Sequence, residues 1–351
     1  MALKVNIKKQ VENFELNLKF ETQNRPLALL GSSGSGKSLT LKSIAGLETP
    51  ELGSIIFNDK IFFDSNKKIN MDIRKRKIGY IFQNYALFPH MTVSENITFG
   101  INQKNKDIIN HLVYENLKKV KMLEYQDRLP HQLSGGQQQR VAIARALALE
   151  PDILLLDEPF SALDSSTKEI VINEMKEILS NFKGDSILVT HNLEEAYTLC
   201  DDILIINKGY EERFGEKKDV FENPKTIESA KLTGCKNIVN IVKTSDSQIF
   251  VPSWNYYISA PNVYPPYNYL GIRSNYIKIS TVERTDSIKC SIENIIHNPF
   301  YVSVFFRPYK SSFDSTTIQG DFTQDFWSSF NKKNDFFYIY FDEKNFFYMR
   351  K

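Results

Sequence analysis

The chain has 351 residues, a length that predicts about two domains. Hydrophobic residues at 42% and charged residues at 25% match an ordinary globular protein and exclude wholesale disorder. Lys and Arg number 44 against 42 Asp and Glu, and the resulting charge of +2 gives no footprint for nucleic acid or an anionic membrane surface.

Cys200, Cys235 and Cys290 are scattered and form no C-x-x-C pair, so neither a disulfide framework nor a zinc site is expected, and a reducing interior fits. The opening Met1-Ala-Leu-Lys-Val-Asn-Ile-Lys-Lys lacks the apolar core of a signal peptide. Apolar runs such as Ile153–Leu156 and Ile203–Ile206 are strand-sized, far short of the roughly 18 apolar residues that cross a bilayer. Any membrane role is expected to pass through a partner.

In chain order, residues 3–9 and 14–20 read as strands, the second with Phe14, Leu16, Leu18 and Phe20 alternating with polar residues. Pro26–Leu30 is a short apolar strand entering a Gly/Ser loop, and a helix is expected from Lys37 to Ala45. Strands follow at Ser54–Phe57 and Ile78–Phe82, then a mostly helical stretch over about 92–130. A helix at about Gln137–Leu149, a buried strand at Ile153–Leu156, a helix at about 167–181, and strands at 186–190 and 202–206 complete this half. Helices between short apolar strands predict an α/β core on a parallel sheet, with antiparallel strands and a helical insert (about 84–150) added to it. Near 233–240 the character changes. Beyond it Pro252, Pro261, Pro265 and Pro266 punctuate aromatic and β-branched runs, so 234–351 is expected to be a small β-rich domain after a first domain of 1–233.

Gly31-Ser32-Ser33-Gly34-Ser35-Gly36-Lys37-Ser38 fits G-x-x-x-x-G-K-[ST] between a predicted strand and a predicted helix. Its glycines let backbone N–H groups turn onto phosphate oxygens, and the positive end of the helix adds to them. Lys37 is expected to reach the β- and γ-phosphates and Ser38 Oγ to ligate Mg²⁺, with Thr40 grouped among the nucleotide-binding positions. Ile153-Leu-Leu-Leu-Asp157-Glu158-Pro159 is a buried strand ending in two carboxylates, which are costly there unless a cation lies beside them. Asp157 is then the metal-side acid, and Glu158 the candidate to polarise attacking water.

Leu133-Ser134-Gly135-Gly136-Gln137, followed by a helix carrying Arg140 and Arg145, resembles the signature motif of ABC ATPases. Two glycines after a serine at a helix N-terminus make a second anion-binding concavity. The resemblance implies ATP and Mg²⁺ as cofactors, and a head-to-tail pair of subunits in which Ser134, Gly135, Gly136 and Gln137 of one face the phosphate loop of the other. It further implies that Gln83 contacts Mg²⁺ and the attacking water, that Ser161-Ala-Leu-Asp164 touches the partner subunit, and that His191 sits near the γ-phosphate. Phe14 is the candidate to stack on adenine, although its alternation equally suits an ordinary strand residue. The match covers about residues 1–233.

The segment Tyr80–Val93, continuing into Ser94-Glu95-Asn96, looks like the importer form of this family, with Tyr85, Leu87, Phe88 and Pro89 expected as semi-exposed residues lining a groove for a membrane subunit. The implied protein is a peripheral ATPase on the cytoplasmic face of the membrane, serving an integral permease and, indirectly, a substrate-binding protein. Phe63–Asn70, Gly79–Pro89 and Thr233–Asn237 look like the molybdate-transport ATPases, with sulfate and tungstate relatives close behind. Sulfate, iron, sugar or polyamine import, and a soluble ABC protein without transport, are the alternatives. Gly271–Ile279 and Cys290–Asn294 are similar to the oligonucleotide-fold-like regulatory domain of such subunits, but no Ser-Ala-Arg-Asn-type turn of the oxyanion-binding form is present.

Overall fold

The computed structural model describes residues 2–101, 103–259, 267–309, 317–330 and 334–351. Pro261, Pro265 and Pro266 lie outside them. The chain forms two compact units, Met1–Lys217 and Lys218–Lys351, so residues 218–233, read from the sequence as the end of the first domain, group with the second.

The first unit starts with β1 (Leu3–Val11), β2 (Phe14–Glu21) and β3 (Leu27–Leu30), then α1 (Lys37–Ala45). Next come β4 (Leu52–Phe57), β5 (Lys60–Asp64), β6 (Ile69–Asn70) and β7 (Ile78–Ile81). Three helices follow, α2 (Val93–Thr98), α3 (Lys106–Lys119) and α4 (Gly135–Leu147). The unit closes with β8 (Ile153–Asp157), α5 (Ser165–Asn181), β9 (Asp185–Val189), α6 (Leu193–Leu199), β10 (Asp202–Asn207) and β11 (Tyr210–Glu216).

All eleven strands join one sheet in the order β6-β5-β4-β1-β2-β11-β10-β3-β9-β8-β7. Strands β10, β3, β9, β8 and β7 run parallel, and the β1, β2, β4, β5 and β6 wing is antiparallel. Every residue of β3, β8 and β9 is buried, as a parallel strand covered on both faces requires. In β1 and β2 only alternate residues are buried, Leu3, Val5 and Ile7 against Leu16, Leu18 and Phe20. Each of these side chains contributes about 1.5–3 kcal/mol by leaving water. Strands β5 and β11 carry no strand signal in the sequence: the run Ile61-Phe62-Phe63 does not alternate, and Tyr-Glu-Glu-Arg-Phe-Gly-Glu is too polar to read as sheet.

Arg76 ties the antiparallel wing to α1. Its guanidinium, 1% exposed, donates to the carbonyls of Ser43 and Ile44 at the end of α1, and to Met71, Phe62 and Asn70 Oδ1 in the wing. Burial lowers its pKa to about 10. The α1 helix is thereby capped at its C-terminus by a cation, as its dipole favours.

The second unit holds α7 (Lys217–Glu222, starting at the boundary), α8 (Ile227–Leu232) and α9 (Gln324–Ser329) among short strands. Its described residues form three antiparallel sheets, of three, three and five strands, and a core cluster that includes Trp254, Ile272, Phe306 and Ile339. The β-rich expectation is met. A satellite cluster of Ala230, Cys235, Phe347 and Met349 fixes α8 within this unit.

Candidate functional site

The site begins where β3 stops. Between Leu30 and Lys37 the backbone turns left-handed at Gly34 (φ 76°) and Gly36 (φ 102°). Gly36 is the N-cap of α1 and no side chain bonds that helix end, so its first N–H groups are available to an external acceptor. Two of its glycines have no room for a side chain: a Cβ on Gly36 would lie 2.7 Å from Leu16 Cδ1, and one on Gly31 would strike the Ile206 carbonyl oxygen. Ser35 Oγ is buried without a partner inside this loop, an orphan of the kind a phosphate oxygen satisfies.

Lys37 is buried, and its Nζ donates to the carbonyls of Gly31 and Ser32, both at 2.9 Å. Desolvation lowers its pKa, while the carboxylates of Glu158 and Asp157 act in the opposite direction. Thr40 is fully buried and gives its hydroxyl to the Gly36 carbonyl at 2.9 Å, steadying the loop from within the helix.

Strand β8 delivers the two carboxylates. Asp157 accepts from Ser38 Oγ at 2.7 Å and from Tyr80 Oη at 2.9 Å, so strand, helix and β7 meet on one carboxylate. Burial first, and then Asp157, pushes the Tyr80 phenol well above its ordinary range. Tyr80 was not singled out from the sequence, where it is one aromatic in a strand. Glu158 follows in a left-handed conformation (φ 45°), its N–H on the Val189 carbonyl at 3.0 Å and its own carbonyl accepting from Ser161 Oγ. A left-handed non-glycine costs about 1–3 kcal/mol and marks a constrained position. His191 Nδ1 lies 3.3 Å from Glu158 Oε2, uniting the ends of β8 and β9.

Ser33–Ser38, Gln83 and Glu158 line a cavity of about 710 Å³ together with Phe14, Val11 and Lys9, while Asp157 and His191 are outside its lining and meet it only through Ser38 and Glu158. The volume suits one mononucleotide. Phe14 both lines this cavity and packs against the core, with its ring edge near Gly36. The donors Ser38 Oγ, Asp157 and the exposed Gln83 fit a hard cation whose remaining ligands are phosphate oxygens and water. Among the described residues no group of three His, Cys, Asp or Glu forms an all-protein metal site.

The cavity lining contains none of Ser134, Gly135, Gly136, Gln137 or Asp164. Ser134 instead starts α4 in a reciprocal capping box: Ser134 Oγ accepts from Gln137 N at 3.3 Å and Gln137 Oε1 accepts from Ser134 N at 2.9 Å. Gly136 is pressed against α5, where a Cβ would meet Thr167 Cγ2 at 2.5 Å. Asp164 is the N-cap of α5, and hydrogen bonds from Ser166 and then Thr167 hold its carboxyl well below the usual range.

After Gln83 the loop differs from expectation at one residue. Tyr85 is buried (6% exposed) rather than semi-exposed; Leu87 and Phe88 are half-buried and Pro89 is exposed. Tyr85 and Ala86 are left-handed (φ 60° and 46°), and Arg145 near the end of α4 donates to both carbonyls, at 2.8 and 2.7 Å. Asn96, fully buried, bonds Phe88, Met91 and Thr92 and fixes the rest of the turn.

In the second unit Asn237 and Arg273 serve the fold. Asn237 Nδ2 donates to the carbonyls of Ile272 and Gln319, and the Arg273 guanidinium donates to the carbonyls of Thr233 and Phe221.

The sequence profile described as "ABC transporter" matches residues 14–161. The chain is 40% identical over 257 residues to the sulfate/thiosulfate import ATP-binding protein CysA of Pectobacterium atrosepticum, covering 70% of this chain and 76% of that one. To the protein of the same name from Halalkalibacterium halodurans it is 36% identical over 304 residues, covering 83% and 82%. Among solved structures, it resembles the dimeric post-hydrolysis state of the ATP-binding cassette MJ0796 bound to ADP and Pi, with a TM-score of 0.53 and 31% identity, over 62% of this chain and 98% of that one.

Proposed function

We propose that this chain, which belongs to the ABC transporter ATP-binding family, energises the import of sulfate or thiosulfate. It is an ATP-hydrolysing subunit of an importer. The cargo reading is supported by relatives named for sulfate and thiosulfate import that align over most of their length, and it displaces molybdate, which the sequence motifs placed first.

The observation that carries the mechanism is that Lys37, Ser38 and Glu158 line one cavity, with Ser38 bonded to Asp157 and Glu158 beside His191. We read Lys37 as the cation for the β- and γ-phosphates and the N–H groups of the Gly31–Ser38 loop as their cradle. Ser38, Asp157 and Gln83 would hold Mg²⁺, which when bound supplies neutralisation of phosphate charge. Glu158 takes the proton from the attacking water, and His191 orients its carboxylate. Phe14 offers a face for the base at the flank of the cavity.

A second copy completes the site. This reading is supported by the dimeric state of the solved relative. Ser134, Gly135 and Gly136 would then close on the phosphates held by the other copy, with Gln137 holding the capping box and Asp164 beginning the helix that borders the partner. A permease in the membrane receives the motion through the Tyr85–Pro89 loop, and a substrate-binding protein delivers the cargo to it.

The test is uptake by proteoliposomes that contain the chain with its permease and binding protein. ATP-driven accumulation of labelled sulfate, abolished by excess thiosulfate and untouched by excess molybdate, is expected. Labelled molybdate accumulating while sulfate is ignored would reverse the cargo assignment.

A further inference from the structure

One buried carboxylate near the site has no part in the mechanism above. Glu195 lies in α6, is 4% exposed, and has each carboxylate oxygen engaged by a different element. Oε1 pairs with Lys168 Nζ at 2.5 Å, and Oε2 accepts from Thr190 Oγ1 at 2.5 Å. Thr190 is the residue before His191, and its Oγ1 also accepts from Asn192 N at 3.0 Å, the residue after it. Asn192 Oδ1 in turn caps α6 through Glu194 N and Glu195 N. The His191 turn is therefore held on both sides by a network ending on Glu195, and Glu195 is held by Lys168.

Lys168 belongs to α5, whose N-cap is Asp164, and its own N–H donates to the Asp164 carbonyl at 2.9 Å. A charge pair at 4% exposure on one side costs desolvation that packing alone would not require, and in some proteins such pairs serve to fix one conformation. Here the fixed conformation places His191 Nδ1 against Glu158 Oε2.

We propose that Lys168 and Glu195 are positioning residues for the His191 turn, forming a latch that ties the helix starting at Asp164 to the histidine opposite Glu158. Movement of the 161–164 segment against a second subunit would reach His191 through this pair. The inference rests on the role given to His191 above.

The experiment is ATP hydrolysis by the full chain in Lys168→Met, Lys168→Arg, His191→Ala and the Lys168→Met/His191→Ala double variant, with nucleotide affinity measured separately by titration of a fluorescent ATP analogue. Lys168→Met is expected to lower kcat by about 10- to 100-fold, the scale of a misplaced catalytic group, while KM and nucleotide affinity stay within about twofold. Lys168→Arg restores most of the rate. In the His191→Ala background Lys168→Met adds no further loss, as expected for residues acting as one unit. Wild-type kcat in Lys168→Met, a loss confined to nucleotide affinity, or losses that multiply in the double variant would overturn the latch. Wild-type turnover in His191→Ala alone defeats the role of His191 and is read without reference to Lys168. If the unpaired Glu195 unfolds Lys168→Met, the variant Lys168→Met/Glu195→Gln leaves no buried charge unpaired and gives the same comparison.

Discussion

Two helix N-termini in this chain have nearly the same composition and opposite internal chemistry. Helix α1 starts at Gly36 with no side-chain cap, behind a loop whose Ser35 hydroxyl is buried without a partner. Helix α4 starts at Ser134 with a complete capping box, its end pressed on α5 through Gly136. Unsatisfied donors in a concave loop make α1 a receptor for phosphate. The capped α4 end is stable alone, and only the Ser134 hydroxyl proton and the forward N–H groups are left to offer another molecule. The difference teaches that glycine and serine at a helix start do not by themselves make a binding pocket; what matters is whether the fold has already used their hydrogen bonds.

Glu158→Gln bears hardest on this comparison, because it leaves both helix ends intact and removes only the carboxylate proposed as the base. Phosphate release is expected to fall by about 10²–10⁴-fold, with ATP binding preserved and a dimer seen by size exclusion in ATP. Turnover near the wild-type rate would remove Glu158 from the role of base. Lys37→Met strikes the α1 receptor itself, and loss of a charged hydrogen-bond donor should weaken nucleotide binding by about 10- to 100-fold in a fluorescence titration. If α4 serves only the partner, Ser134→Ala should leave that titration unchanged while slowing turnover. The same variant should lower stability by about 1 kcal/mol through the lost cap, measured by denaturant melting.

The smallest effect is expected away from both termini. Burial raises the pKa of Asp185, against the lowering influence of its hydrogen bond from Thr22. A carboxyl whose folded pKa lies above its unfolded value binds its proton more tightly when folded. Its contribution is therefore fully present below the unfolded pKa and is lost as pH rises through the folded one. Asp185→Asn should flatten that fall in melting temperature as pH rises through the folded pKa and leave ATPase activity alone; a variant with an unchanged pH profile would show that Asp185 is not its source.

Much of the first unit is legible in the residues, because its strongest signals are local. Leu27–Leu30 and Ile153–Asp157 are unbroken apolar runs, and Gly31–Ser38 must turn because its glycines allow what other residues resist. Element ends shifted where capping decides them: α4 begins at Gly135 because Ser134 and Gln137 cap each other, two residues before apolar periodicity would start it. Strands β5 and β11 are not legible in the sequence because each owes its existence to a neighbour, β4 or β10, rather than to its own pattern. Tyr85 reads as a loop aromatic, yet Arg145, 60 positions later, holds its carbonyl and the residue is buried.

By itself the sequence determined which residues carry charge, hydroxyl and glycine freedom at the phosphate loop, at Asp157-Glu158 and at His191, since each motif is a short local pattern. Only the tertiary structure decided that Ser38 and Tyr80 share Asp157, that His191 meets Glu158, and that Lys168 reaches Glu195. Those pairs join residues brought together by the order of parallel strands and by the packing of α5 on α6, and hydrogen bonds of about 3 Å require a register that no local pattern encodes.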